Sequence, residues 1–227
     1  MMVIVLWTLF TGCEMGIVGN GVVQTQDRDV KSFSRLEIGG NFNLFLLQGR
    51  KPALKFEMDE NLFDNLRINQ YGKTLSIQTE RNVIRAKKKN IYLTVRDLEK
   101  MDLSGAVKCT TQQVLKIPSL VVIGSGAVEL NMELQCKQIK LDLSGASNCQ
   151  LQGETKILTL TLTGAGDFNA LDLISDEVRI ELSGAGSAKV FAQDKLDVQI
   201  SGVGSVKYRG DPVIEKEVSG LGSLKRY

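Results

Sequence analysis

An all-β fold, built as a parallel β-solenoid of about 20 residues per turn, is predicted by three features of this sequence. The first is a phrase that recurs seven times after about residue 98. It consists of an apolar residue, usually Ser or Thr, then Gly, any residue and usually a second Gly. It begins at Leu103, Val122, Leu143, Leu162, Leu182, Ile200 and Val218. With Gly105, Gly124, Gly145, Gly164, Gly184, Gly202 and Gly220 as anchors, the spacings are 19, 21, 19, 20, 18 and 18 residues. The second feature is the alternation before each anchor. Met101/Leu103, Leu120/Val122, Leu141/Leu143, Leu160/Leu162, Ile180/Leu182 and Val198/Ile200 enclose mostly polar residues, and Lys216/Val218 breaks the apolar pattern once. Period two is the mark of a half-buried strand. The third is a second alternating run after the glycines, with Cys109, Val128, Cys149, Phe168, Ala188, Val206 and Leu224 four residues past each anchor.

The elements follow in chain order. Met1 to Phe10 is an uncharged apolar run that ends at Thr11-Gly12-Cys13. It is too short to span a bilayer as a helix. It reads as a bacterial lipoprotein signal over residues 1–12, with Cys13 as the lipid attachment site and membrane anchoring through that lipid. Residues 13–21, with three glycines, are expected to be a tether. Residues 22–227 form the predicted domain. Its early part holds strand-like runs at Leu54–Met58, Leu66–Asn69, Thr74–Gln78 and Ile91–Val95, a short helix at Asp59–Asn65 and a hairpin turn at Tyr71-Gly72-Lys73. Gly40 reads as a degenerate corner, and the 65 residues from there to Gly105 are expected to make about three irregular turns.

In the regular part, the Ser-Gly-x-Gly phrase is a corner between two strands, where glycine supplies a positive φ. Stacked turns lie about 4.8 Å apart. Cys109 and Cys149 then sit two turns apart with Val128 between, too far for a disulfide, and both read as small core residues. The outer acids Asp102, Asp142, Glu181 and Glu217 fall on alternate turns, as do the bases Lys100, Lys140 and Arg179, which keeps like charges apart.

Composition removes several function classes. The absence of His excludes the usual Ser-His-Asp and Cys-His machinery and most zinc sites. A net charge of +2 and 6% aromatics argue against a nucleic-acid partner. The Gly-x-Gly corners lack nucleotide-loop spacing and precede no helix. No cofactor or metal is implied. The outer charges lose their balance at one place, where Lys189, Lys207 and Lys225 occupy equivalent positions on consecutive turns. As a site, this column would take an anionic partner such as an acidic glycan or lipid headgroup. As plain architecture, it would guard an open sheet edge. Arg85-Ala86-Lys87-Lys88-Lys89 is a second basic run, of the kind that forms a solvated loop.

The order of segments resembles a known family. Gly19-Asn20-Gly21-Val22-Val23 is followed by Phe33-Ser34-Arg35-Leu36-Glu37-Ile38, then Asp59-Glu60-Asn61-Leu62 and the Ser-Gly-x-Gly ladder. Together these resemble the putative auto-transporter adhesin, head GIN domain family. Val107 and Ser147 stand where its phrase has a second Gly, and only Asp167 keeps the Asp that follows. The resemblance implies a right-handed parallel β-helix-like fold and a cell-envelope protein with an adhesive role. It implies no enzymatic activity and no catalytic residues. The expected function is a lipid-anchored outer-membrane protein that presents a rigid surface to a glycan or other ligand. The alternatives are a periplasmic or surface scaffold that contacts envelope proteins, and a carboxylate-dependent polysaccharide hydrolase or lyase.

Overall fold

A computed structural model describes residues 16–227; Cys13 and the signal segment lie outside them. The described chain is all-β, 76% strand and 3% helix, in a mixed sheet arrangement. Its strands are β1 (Ile17–Val18), β2 (Val23–Arg28), β3 (Arg35–Gln48), β4 (Ala53–Asp59), β5 (Leu66–Tyr71), β6 (Thr74–Thr79), β7 (Val83–Arg85), β8 (Lys89–Val95), β9 (Lys100–Thr111), β10 (Leu115–Lys116), β11 (Ser119–Leu182), β12 (Ala185–Ile200), β13 (Val203–Arg209), β14 (Val213–Val218) and β15 (Ser223–Arg226). One short 3-10 helix, Glu60–Asn65, follows β4.

Beyond residue 100, each repeat pairs in parallel with the next. Strand β9 lies on β3 with Gly105 opposite Gly40, and β11 lies on β9. Further on, β12 pairs with β11, β13 and β14 with β12, and β15 with β13. We call each level a rung. Apolar positions therefore stack in columns. Leu36, Met101 and Val122 form one. Phe168, Ala188, Val206 and Leu224 form another. The first three members of the second column are at most 2% exposed, and removing such surface from water stabilises the stack. Leu224, on the last rung, is half-buried.

The second anchor is Gly126, not Gly124. Gly126 pairs with Gly105, so the true spacings are 21, 19, 19, 20, 18 and 18 residues. The expected register was wrong because Val122-Ile123-Gly124-Ser125-Gly126 offers two glycines two residues apart, and a two-residue slip leaves inward and outward faces unchanged. Backbone conformation decides between them: Gly105 and Gly126 have φ of 94° and 96°. A Cβ on Gly126 would also lie 2.4 Å from the Gly105 carbonyl oxygen. Gly124 points inward, and the Leu143 side chain fills the space its Cβ would take. Corrected in this way, Cys109 faces Leu130, not Val128. Glu129 lies opposite Lys108, with an ion pair of 2.7 Å.

Gly184, Gly202 and Gly220 do not share the positive φ. They are glycines because the rungs touch there: a Cβ would fall 2.0–2.2 Å from the carbonyl oxygen of the glycine one rung earlier. The strand runs unbroken through the earlier corners and is interrupted at these three.

Residues between Gly40 and Gly105 do not form three turns. They form a cap in which antiparallel pairing dominates. Strands β2, β4 and β8 pair antiparallel in sequence across the sheet, and β5–β6 is a hairpin closed by Gly72 and Lys73. The C-terminal half of β3 pairs with β8 and its N-terminal half with β6, both in parallel. Two residues join β5 to β6, short enough for a hairpin, whereas β2, β4 and β8 are brought together from distant parts of the sequence. The expected tether is also folded from Ile17 onward: β1 pairs with β7, and the Gly21 N–H donates to Asp59.

The outer charges alternate less strictly than expected. Glu37 is directly beside Asp102, and Arg35 beside Lys100. An ion pair along β9, Lys100 to Asp102 at 3.0 Å, offsets this crowding.

Candidate ligand-binding face

The strand that follows each corner presents its outer side as columns running along the stack. In the column five residues past the anchor, Asn169, Lys189, Lys207 and Lys225 pair in order. The three lysines predicted from sequence are therefore direct neighbours. Lys207 and Lys225 are exposed and Lys189 is half-buried. None of the three has an ion pair among the described residues. The nearby arginines are engaged elsewhere. Arg209 lies over the Tyr227 ring at 4.7 Å, and Arg226 bonds the Gly210 carbonyl at 3.0 Å and faces Asp211 at 3.5 Å.

The other basic run belongs to the cap. The Lys87 and Lys88 backbone N–H groups donate to the Asp59 carboxylate, and the Lys88 Nζ pairs with Glu57 at 2.5 Å. That hydrogen bond, with a second from Asn90, holds the Glu57 carboxyl below its ordinary range. The Lys89 ammonium donates to the Asn41 Oδ1, and burial lowers its pKa.

The sequence reading did not anticipate a groove of 570 Å³ beside the corner. Its floor is Ala106, Ala127, Ala146 and Ala165, one exposed alanine per rung. Its walls carry Asn43, Lys108, Glu129, Asn148 and Asp167, with Asn41 and Lys89 at the cap end. The signal was present as the residue after each anchor: once Gly126 is the anchor, five of the seven repeats place Ala there, and only Val203 and Leu221 differ. The slip to Gly124 hid the fifth member.

A second groove, of 840 Å³, lies on the far side, where Ile117, Cys136, Thr155, Ile174 and Phe191 contribute. The Cys136 thiol is half-buried and bonds the Thr155 hydroxyl at 3.5 Å. Cys109 and Cys149 are core residues whose thiols burial pushes up to about 12. All three are free. In the native protein, Cys136 is expected to react with a maleimide well before the other two, which should label only on unfolding. Peptide mapping of partially labelled protein checks this, and early labelling of Cys109 would contradict the stacking.

Among the described residues, no group of three or more Cys, Asp and Glu side chains is arranged to hold a metal ion. No described helix is long and apolar enough to cross a membrane.

Comparison with known proteins agrees with this architecture. A putative adhesin from Bacteroides fragilis superposes with a TM-score of 0.84 at 23% identity, covering 93% of this chain and 100% of its own. A putative lipid binding protein from Parabacteroides distasonis gives 0.74 at 22% identity, with 94% and 100% covered. A putative adhesin from the same species gives 0.73 at 18%, also with 94% and 100% covered. No match is found among the curated proteins. A family model spans residues 32–212, from the strand before Gly40 to the rung of β13, and by that match this chain belongs to the family described as putative auto-transporter adhesin, head GIN domain.

Proposed function

We propose that this chain is a lipid-anchored protein of the cell envelope, attached through Cys13, whose right-handed β-solenoid is a rigid adhesive surface that binds acidic glycan. The column of Lys189, Lys207 and Lys225 carries this reading. Like charges directly opposite each other destabilise a sheet, yet three lysines here are stacked in register. One rung pair nearer the cap, by contrast, sets Lys108 against Glu129. A row of anionic groups laid across the column would relieve the repulsion and gain charge-assisted contacts. The family description and the Bacteroides fragilis adhesin support an adhesive role, and we assign the chain no enzymatic activity.

Replacing all three lysines with Glu is expected to weaken binding to an acidic polysaccharide by about tenfold or more, with most of the effect lost at high salt. Unchanged binding on a glycan array would overturn the reading. Envelope proteins captured by cross-linking, with no glycan bound, would favour a scaffold instead. Mass spectrometry of the mature N-terminus tests lipidation at Cys13, and whole-cell protease accessibility tests exposure at the surface.

A further inference from the structure

We infer that the alanine-floored groove and the lysine column are one continuous path for a single linear polysaccharide bearing uronic-acid carboxylates. This inference rests on the adhesive reading above and assigns it a site.

The two features share one face and follow each other along the stack. The groove spans five rungs, from that of Gly40 to that of Gly164. The lysines occupy the next three, because Asp167 and Asn169 at the end of the groove pair with Ser187 and Lys189. The groove wall and the lysine column are two residues apart along each strand, about 7 Å. A chain leaving the groove therefore shifts by one column to reach Lys189. Eight rungs at about 4.8 Å make a path of about 34 Å.

The repeat selects the kind of polymer. An extended peptide advances about 3.3 Å per residue and falls out of step with rungs 4.8 Å apart. A sugar unit in an extended chain is closer to one rung. The floor offers only methyl groups, a shallow apolar shelf for ring faces, and Asn43 and Asn148 offer amides to hydroxyls. Charge is placed at the two ends. Lys89 stands at the cap end, and at the other are three lysines without an ion pair among the described residues. Between them, Lys108 is neutralised by Glu129 at 2.7 Å. Asp167 accepts a hydrogen bond from Ser187 at 2.5 Å and can accept others from sugar hydroxyls. An acidic chain long enough to reach both ends gains both sets of contacts.

The test uses the mature chain and oligogalacturonates of about three and about eight units, sized from the rung spacing. Wild type is expected to bind the longer oligomer at least about tenfold more tightly, as linked contacts do. Ala127→Ile with Ala146→Ile fills the floor at exposed strand positions and should leave the unfolding midpoint unchanged. It is expected to remove the advantage of the longer oligomer while leaving the shorter one unaffected. Lys89→Gln, which leaves the floor intact, should also weaken only the longer oligomer. The triple lysine reversal should weaken both. If floor filling and Lys89→Gln leave the longer oligomer bound as in wild type while the lysine reversal abolishes binding, the continuous path is wrong and the adhesive reading stands. If wild type binds neither oligomer, both fall.

Discussion

Gly126→Ala is expected to lower the unfolding free energy by about 3 kcal/mol or more, while Gly124→Ala, two residues away, costs about 1 kcal/mol. The two glycines are adjacent candidates for the same structural role, and the fold uses them differently. Gly126 has φ of 96°, which an L side chain rarely adopts. Its Cβ would lie 2.4 Å from the backbone oxygen of Gly105. That oxygen is fixed by the rung below, so the clash can be relieved only by prying two rungs apart. Gly124 meets side chains alone, the tip of Leu143 at 2.8 Å and a Val128 methyl at 3.3 Å, and small side-chain shifts there are inexpensive. Urea denaturation of the two variants measures the difference. Equal losses, or a larger loss at Gly124, would put the stack in the register that the phrase alone suggests.

That pair of glycines also marks where the sequence stops determining the fold. Alternation with period two told which residues face inward, and it was right from Met101 to Ile200 because burial selects parity. Register along a parallel stack is a separate quantity. It is fixed by backbone contacts at the corners and by cross-strand partners such as Lys108 and Glu129, neither of which leaves a mark in hydropathy. A slip by two preserves every inward residue and changes every neighbour. The cap was less legible for a related reason. Its strands were placed correctly at Leu54–Met58 and Thr74–Gln78, but hairpin pairing and turn-by-turn winding draw on the same local alternation, and tertiary contact chooses between them.

Legibility of the candidate face divides in the same way. Lys189, Lys207 and Lys225 could be found because they share one offset in three repeats that are in correct register. The groove could not, because it is defined by what the alanines leave empty, and a small residue after a glycine reads as turn chemistry. Nothing local marks Asp59, the last residue of β4, as more than the start of a short helix. Its importance comes from partners 28 to 38 residues away in sequence, which only the closed cap brings together.

Asp59→Ala is expected to cost about 3 kcal/mol and to release residues 16–22, the first described segment, from the fold. The residue is fully buried. Its Oδ2 accepts from the Gly21 N–H at 2.9 Å and its Oδ1 from the Lys88 N–H at 3.0 Å, and the Lys87 N–H is shared by both oxygens at 3.1 Å. Removing the carboxylate leaves three backbone donors unpaired. Gly19 packs so closely over Oδ2 that a Cβ would overlap it. Asp59→Asn should recover little, since its amide NH₂ would meet N–H donors. Burial is the largest single influence and pushes the carboxyl up, but the N–H groups of Lys88, Lys87 and Gly21 together outweigh it and the pKa is lowered. The stabilisation is therefore fully present above the unfolded value of about 3.9 and is lost as pH falls through the lower folded value. Wild type should lose stability through that acid window, whereas Asp59→Ala should show a flatter profile. Hydrogen exchange locates the effect: Gly21, Lys87 and Lys88 should lose protection in the variant at neutral pH while the rungs beyond β9 keep theirs. Retained protection at Gly21 would show that β1 pairing and the Asn61 bonds to Val18 and Asn20 suffice to hold the segment. The Asp59 carboxylate shares the hold on residues 16–22 with the pairing of β1 to β7 and with Asn61, which donates to the Val18 carbonyl and accepts from the Asn20 N–H.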